Sequence, residues 1–198
     1  MAATALKEQK APAAQRRPAV LLYAELRNFT RMSEVLEPAK VLALASEFFA
    51  FAARSVAAHQ GRMLSMNNDA LLAAFGGAGK ALEAAQEMQR EFAPIGERWQ
   101  NEYGLPAAVA HGIHAGETVF GMAGPQGAEQ FVAFGDSVSV AERLVHRARA
   151  GEIILSSDAY KALGGGVDAQ ELPPLEIGNR RPALRIFGVV LETRLDFT

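Results

Sequence analysis

Short apolar, strand-like runs alternate along this chain with long stretches of helical spacing. That interleaving predicts a mixed fold, α/β or α+β, and argues against a helical bundle or a β-sandwich. A length of 198 residues suits one well-packed core and leaves no room for two full-sized domains. No segment repeats another, so a solenoid or propeller is not indicated.

Met1–Pro18 mixes Ala, Lys, Gln, Arg and Pro without apolar periodicity and reads as a flexible basic tail, which assigns the domain to residues 19–198. Ala19–Ala24 is nearly continuously apolar, as in a strand buried on both faces, and runs into the polar stretch Glu25–Thr30, read as a turn. Pro38 suits the first turn of a helix, and Val41, Leu44, Ala45, Phe48, Phe51 and Ala52 then recur at helical spacing up to Gly61. Arg62–Met66 and Ala70–Phe75 read as two strands joined through Asn67, Asn68 and Asp69, a hairpin whose tip carries a carboxylate. A second long helix is predicted from Lys80 to about Tyr103, stopped by Gly104 and Pro106.

Beyond it, Ala107–Ala115 and Thr118–Met122 read as separate strands around Gly116, and Phe131–Phe134 as another. A helix is expected over Ser137–Ala150, a strand over Ile153–Leu155 and a short helix over Asp158–Leu163. Gly164–Pro182 reads as a loose region, with a final strand over Leu184–Leu191.

Composition excludes several chemistries. The chain has no cysteine, which removes disulfides, thiolate metal sites and cysteine nucleophiles. Lys and Arg number 20 against 22 Asp and Glu, a balance too near neutral for a general nucleic-acid coat. A local basic patch stays open. No continuous apolar run reaches the roughly 20 residues of a membrane helix, and the acidic residues after Arg16-Arg17 leave no apolar core for an export signal. The expected address is cytoplasmic, without a membrane anchor.

Several local patterns are weighed against plainer roles. The run Gly76–Lys80 suggests a phosphate loop but has Ala74 and Ala81 where that motif requires Gly and Ser or Thr. His111 and His114 are three apart in a strand, so they face opposite sides and do not chelate one metal; each is expected to be a satisfied or surface histidine. Trp99 is expected to pack. Arg143, Arg147 and Arg149, with Arg180, Arg181 and Arg185, could bind phosphates, though a solvated helix face explains them as well. Glu25, at the end of a buried strand, and Asp69, at a hairpin tip, form a more specific pair, because carboxylates on adjacent strand ends can hold divalent metals that bridge phosphates.

Five strings then carry a resemblance. Tyr23–Thr30 (YAELRNFT), Asn68–Gly76 (NDALLAAFG), Gly112–Glu117 (GIHAGE), Phe134–Leu144 (FGDSVSVAERL) and Gly151–Ser156 (GEIILS) are similar, in the same order, to motifs of the class III nucleotide cyclases, the adenylate and guanylate cyclase catalytic domains. The resemblance covers about residues 18–190. It implies an α+β fold with a ferredoxin-like βαββαβ core, an antiparallel-rich sheet with flanking helices. It also implies a head-to-tail dimer, homodimer or heterodimer with another cyclase-like chain, with active sites shared across the interface. The substrate it implies is a nucleoside triphosphate, and the cofactor two divalent ions, Mg or Mn.

Carried onto this sequence, the resemblance assigns metal binding to Glu25 and Asp69, charge stabilisation in the transition state to Arg143, and the phosphate-cradling turn to Phe29 and Thr30. Glu25 stands where the family has an aspartate. Its extra methylene moves the carboxylate by about 1 Å, an error worth ~100-fold in rate. Ser139 replaces the ribose-orienting asparagine, Ser65 the base-selecting lysine and Val132 the second base-selecting residue, while Ile177 stands where a phosphate-binding lysine is expected. With both base-reading positions changed, the residues point to neither adenine nor guanine.

Two functions follow. One is a regulatory dimerisation module, a pseudocyclase that keeps the framework and turns over little or nothing. The other is an active, divergent cyclase that makes a 3′,5′-cyclic nucleotide and pyrophosphate with two metal ions. A third reading, in which Arg16, Arg17 and the later arginines bind nucleic acid or an acidic partner, requires strong salt dependence.

Overall fold

The computed structural model describes residues 14–178 and 182–189. Strand β1 (Gln15–Arg27) leads through α1 (Phe29–Val35) and α2 (Pro38–Ala58) into the hairpin β2 (Arg62–Asn67) and β3 (Ala70–Phe75). Helix α3 (Ala78–Tyr103) returns the chain to β4 (Ala108–Ala123). The second half comprises β5 (Gln130–Phe134), α4 (Asp136–Arg147), β6 (Ile153–Ser156), α5 (Ser157–Ala162), β7 (Ala169–Leu175) and β8 (Leu184–Val189).

The strands form one sheet in the order β2-β3-β1-β4-β6-β8-β7, with β5 paired to β4. All ladders are antiparallel except β4–β6. Within it, β2-β3-β1-β4 with helical crossovers on either side of the hairpin is the ferredoxin-like arrangement. Even-numbered residues of β1 (Leu22, Ala24, Leu26) face α2 and α3, where Phe48, Phe51, Met88, Phe92 and Trp99 close the larger core. Its odd-numbered residues (Leu21, Tyr23) face the side carrying α4 and β5. Alternation along one strand thus serves two layers.

Most elements lie where the sequence places them; the differences have physical reasons. Strand β1 begins at Gln15, because Gln15–Pro18 pair with Phe120–Glu117, so these four residues belong to the sheet and not to the tail. The rest of the tail reading, residues 1–13, lies outside the described residues. The two strands expected around Gly116 are one 16-residue strand. Gly116 pairs with Ala19 without breaking the ladder, and a Cβ there would come within 2.6 Å of Ser137 Oγ, so the glycine makes room for the start of α4. Glu25–Thr30 is not a turn throughout: β1 continues through Arg27, and Phe29 and Thr30 open α1.

The region read as loose contains β7, an edge strand that tolerates Pro173 and Pro174 at a register shift between Leu172 and Leu175. The last residues of the expected final strand, 190 and 191, lie outside the described residues. Helix α2, with 21 residues and a mean hydropathy of 1.5, is long and apolar enough to cross a membrane, contrary to the sequence reading. Here its Leu44, Phe48, Phe51, Ala52 and Val56 side packs into the core.

Candidate active site

Glu25 pairs across the sheet with Ala70 on one side and Ala110 on the other, which places it beside the hairpin tip that carries Asp69. The backbone closes this arrangement: the Leu26 amide donates to the Asp69 carbonyl at 2.8 Å. The tip itself requires Asn68 in the left-handed region (φ 47°), a conformation asparagine tolerates better than most residues. Asn28 (φ 67°) makes the corresponding bend at the other wall, and its side-chain amide donates to the Pro106 carbonyl at 2.6 Å. Between these bends lies a cleft of about 400 Å³ lined by Glu25, Phe29, Thr30 and Asp69 among others.

The electrostatics of the cleft rest on Arg27. Its guanidinium bonds one carboxylate oxygen of Glu25 and the Val145 carbonyl, and it donates to the Ala148 carbonyl at 2.7 Å. The other Glu25 oxygen lies 3.3 Å from His146 Nε2. Glu25 is therefore held from α4, whose carboxyl-terminal carbonyls favour a cation. Burial pushes the Asp69 carboxyl up from its ordinary value, opposed by its own backbone hydrogen bond and by Arg27 and His146. Tyr23 is raised by burial first, then by Glu142, Glu25 and Asp69.

The remaining predicted residues are not in this cleft. Ser139 and Arg143 lie one turn apart on the exposed side of α4. Ser65 is exposed on β2, and Val132, half-buried on β5, pairs with Gly121. Ile177 is buried with Val140, Leu144 and Ile186, so its position is filled by a core residue with no polar atom. Arg180 and Arg181 lie outside the described residues, and Arg185 pairs with Glu171.

The plainer readings of Trp99 and His114 hold, and that of His111 holds in part. Trp99 is buried, edge-on to Phe92 at 5.3 Å, and donates to Glu47. His114 meets Ser156 Oγ at 2.8 Å and His111 meets Gln89 at 3.1 Å, each buried, on opposite faces of β4, but His111 Nε2 has no partner among the described residues. Sequence reasoning missed Arg27 and His146. The first sits within the quoted Tyr23–Thr30 string, but only the fold brings the end of α4 against it.

A profile of the Adenylate and Guanylate cyclase catalytic domain matches residues 12–183. The chain belongs to this family. "Adenylate cyclase 1" of Rhizobium meliloti (strain 1021) is 30% identical over 187 residues, 90% of this chain but 28% of the relative. "Adenylate cyclase" of Anabaena cylindrica is 30% identical over 138 residues, 67% of this chain and 28% of the relative. The cyclase domain thus spans little more than a quarter of the curated relatives it matches. Among solved structures, the adenylyl cyclase CyaB from P. aeruginosa superposes with a TM-score of 0.85 at 21% identity, covering 94% of this chain and all of that one. The guanylyl cyclase Cya2 superposes at 0.84 and 25% identity, covering 89% of this chain and 93% of its own.

The donor chemistry of this cyclase domain suits a hard divalent cation, since Glu25 on β1 and Asp69 on the adjoining hairpin turn both line the cleft with carboxylates. Two carboxylates do not make a complete ligand set, and among the described residues no three His, Asp or Glu side chains are grouped to hold a metal.

Proposed function

We propose that this cyclase domain is a regulatory, dimer-forming module of low or no turnover, a pseudocyclase that retains a place for a nucleoside triphosphate. One observation carries the reading: the framework that positions the site is intact while four of the side chains mounted on it, at positions 65, 132, 139 and 177, lack the groups the family chemistry uses. Leu26 still ties β1 to the Asp69 turn. Ser139 and Ser65 carry only short hydroxyls, Val132 carries no polar group, and Ile177 is committed to the core. Each lost transition-state donor is worth roughly 10²–10³ in rate, and such losses do not simply add. The placement of Glu25 and Asp69 in one cleft, with Ser139, Arg143, Ser65 and Val132 outside it, supports a site completed by a second cyclase-like chain.

The adjacency of Glu25 and Asp69 and the retained Arg143 favour a second reading, an active divergent cyclase. A divalent ion there would supply charge neutralisation for the triphosphate and a more acidic 3′-hydroxyl. Glu25 and Asp69 would hold it, Phe29 and Thr30 would wall the phosphates, and Arg143 of a second chain would stabilise negative charge as pyrophosphate leaves. Cytoplasmic placement belongs to either reading.

The deciding experiment incubates the purified protein with ATP, GTP, CTP and UTP, in manganese and in magnesium, and reads cyclic products and pyrophosphate by mass spectrometry. No product under any condition, with a dimer in sedimentation at micromolar concentration, is the expected result. A cyclic product that disappears in Asp69→Ala would establish the second reading instead.

A further inference from the structure

The carboxylate that the family chemistry gives to a metal already has a cation on it. Arg27 Nη1 bonds Glu25 Oε1, and both groups are largely buried, with side chains 20% and 15% exposed. The same guanidinium is anchored at its other end by the Val145 and Ala148 carbonyls, at the negative end of α4. Arg27 Nε is buried without a hydrogen-bond partner among the described residues. This arginine is thus gripped at two ends and desolvated at its middle, an arrangement that costs energy unless the charge is needed where it is. Glu25 Oε2 is turned to His146, on the same helix end, so each oxygen already has a nitrogen beside it.

We propose that Arg27 is a resident cation that occupies Glu25 in place of a divalent ion and sets how tightly the Glu25–Asp69 pair takes one. The inference rests on the reading of that pair as the metal site, and assigns to this chain a positioning residue which that reading does not contain. A divalent ion entering the pair must draw Glu25 off Arg27 and then sit near a fixed positive charge that has no room to withdraw, because the carbonyls of α4 hold it. Both effects weaken binding, and both depend on the charge of residue 27, not on its bulk.

The charge dependence gives the test. Manganese binding to the purified protein, without nucleotide, is measured from the free-ion signal in electron paramagnetic resonance. Arg27→Gln keeps an amide donor for the α4 carbonyls but removes the charge, and is expected to bind Mn²⁺ at least tenfold more tightly than the unmodified protein. Arg27→Lys restores the charge and is expected to stay within about threefold of it. Asp69→Asn in the Arg27→Gln background is expected to abolish the gain. Circular dichroism and thermal melting of each variant establish that it is folded. Equal or weaker binding in Arg27→Gln, or the same gain in Arg27→Lys as in Arg27→Gln, would overturn the role of Arg27. Binding that ignores Asp69→Asn in both backgrounds would overturn the metal reading itself, and the inference with it.

Discussion

The Leu26 amide donates to the Asp69 carbonyl at 2.8 Å, and this one bond between a strand and a hairpin turn brings two carboxylates, 44 residues apart in sequence, to the same cleft. It matches neither side chain to the other. It fixes the backbone on which both are mounted, so the geometry of the pair is sensitive to the conformation of the turn.

Asn68 is the sensitive point, since its φ of 47° is one that β-branched residues strongly resist. Asn68→Gly is expected to be nearly neutral. Asn68→Val is expected to cost about 1–2 kcal/mol of stability by urea unfolding and to weaken manganese binding as Asp69 is displaced. A valine variant of unchanged stability would show that the turn relaxes without cost.

Gly112 governs the other half of the site. A Cβ at this position would lie 2.5 Å from the Val145 amide and 2.6 Å from the Ala141 carbonyl, both backbone atoms of α4. Gly112→Ala must therefore push α4 off β4 and carry Ser139, Arg143 and the carbonyl anchor of Arg27 with it. A loss of about 1–3 kcal/mol is expected, read as a lower melting temperature, together with impaired dimer formation in sedimentation.

His111 gives the protein a built-in acid sensitivity. It is fully buried, and burial lowers its pKa from 6.5 to about 3. Gln89 donates to its Nδ1, which leaves Nε2 as the protonated nitrogen, without a partner among the described residues. The unfolded chain takes up a proton below about pH 6.5 while the folded one resists until about pH 3. Unfolding therefore binds protons in that window, and stability falls as pH drops through it, by about 1.4 kcal/mol per unit. Between pH 6.5 and 5 the contribution is about 2 kcal/mol. His111→Leu is expected to remove this slope, and urea midpoints of the two proteins at pH 7 and pH 5 measure it.

Glu25→Asp tests the methylene that separates this chain from its family. Shortening the side chain by one methylene shortens the reach of the carboxylate that now meets Arg27 and His146. If the domain turns over at all, Glu25→Asp is expected to raise the rate or relax a manganese requirement, and Asp69→Ala to abolish it. Mass spectrometry of cyclic products decides, and equal activity in all three proteins would remove both carboxylates from the chemistry.

The sequence by itself determined the elements whose signal is periodic or punctuated. The apolar stripe through Leu44, Phe48, Phe51 and Ala52 made α2, Gly104 at φ 67° stopped α3, and Asn67–Asp69 between two apolar runs made the hairpin. It also supplied Glu25, Asp69, Arg143 and the substitutions around them, because these stand within strings of fixed order. It misplaced the elements whose existence depends on a distant partner. Gln15–Pro18 become strand only because the far half of β4 is there to pair with them, and Pro173 and Pro174 are tolerated only because β7 is an edge. Tertiary structure alone decided what Glu25 touches. Arg27 lies two residues from it in the same strand, but the Val145 and Ala148 carbonyls and His146 are more than 115 residues away along the chain. The partners of a half-buried carboxylate are set by whatever the fold packs against it, and that information lies in the close approach of α4 to β1.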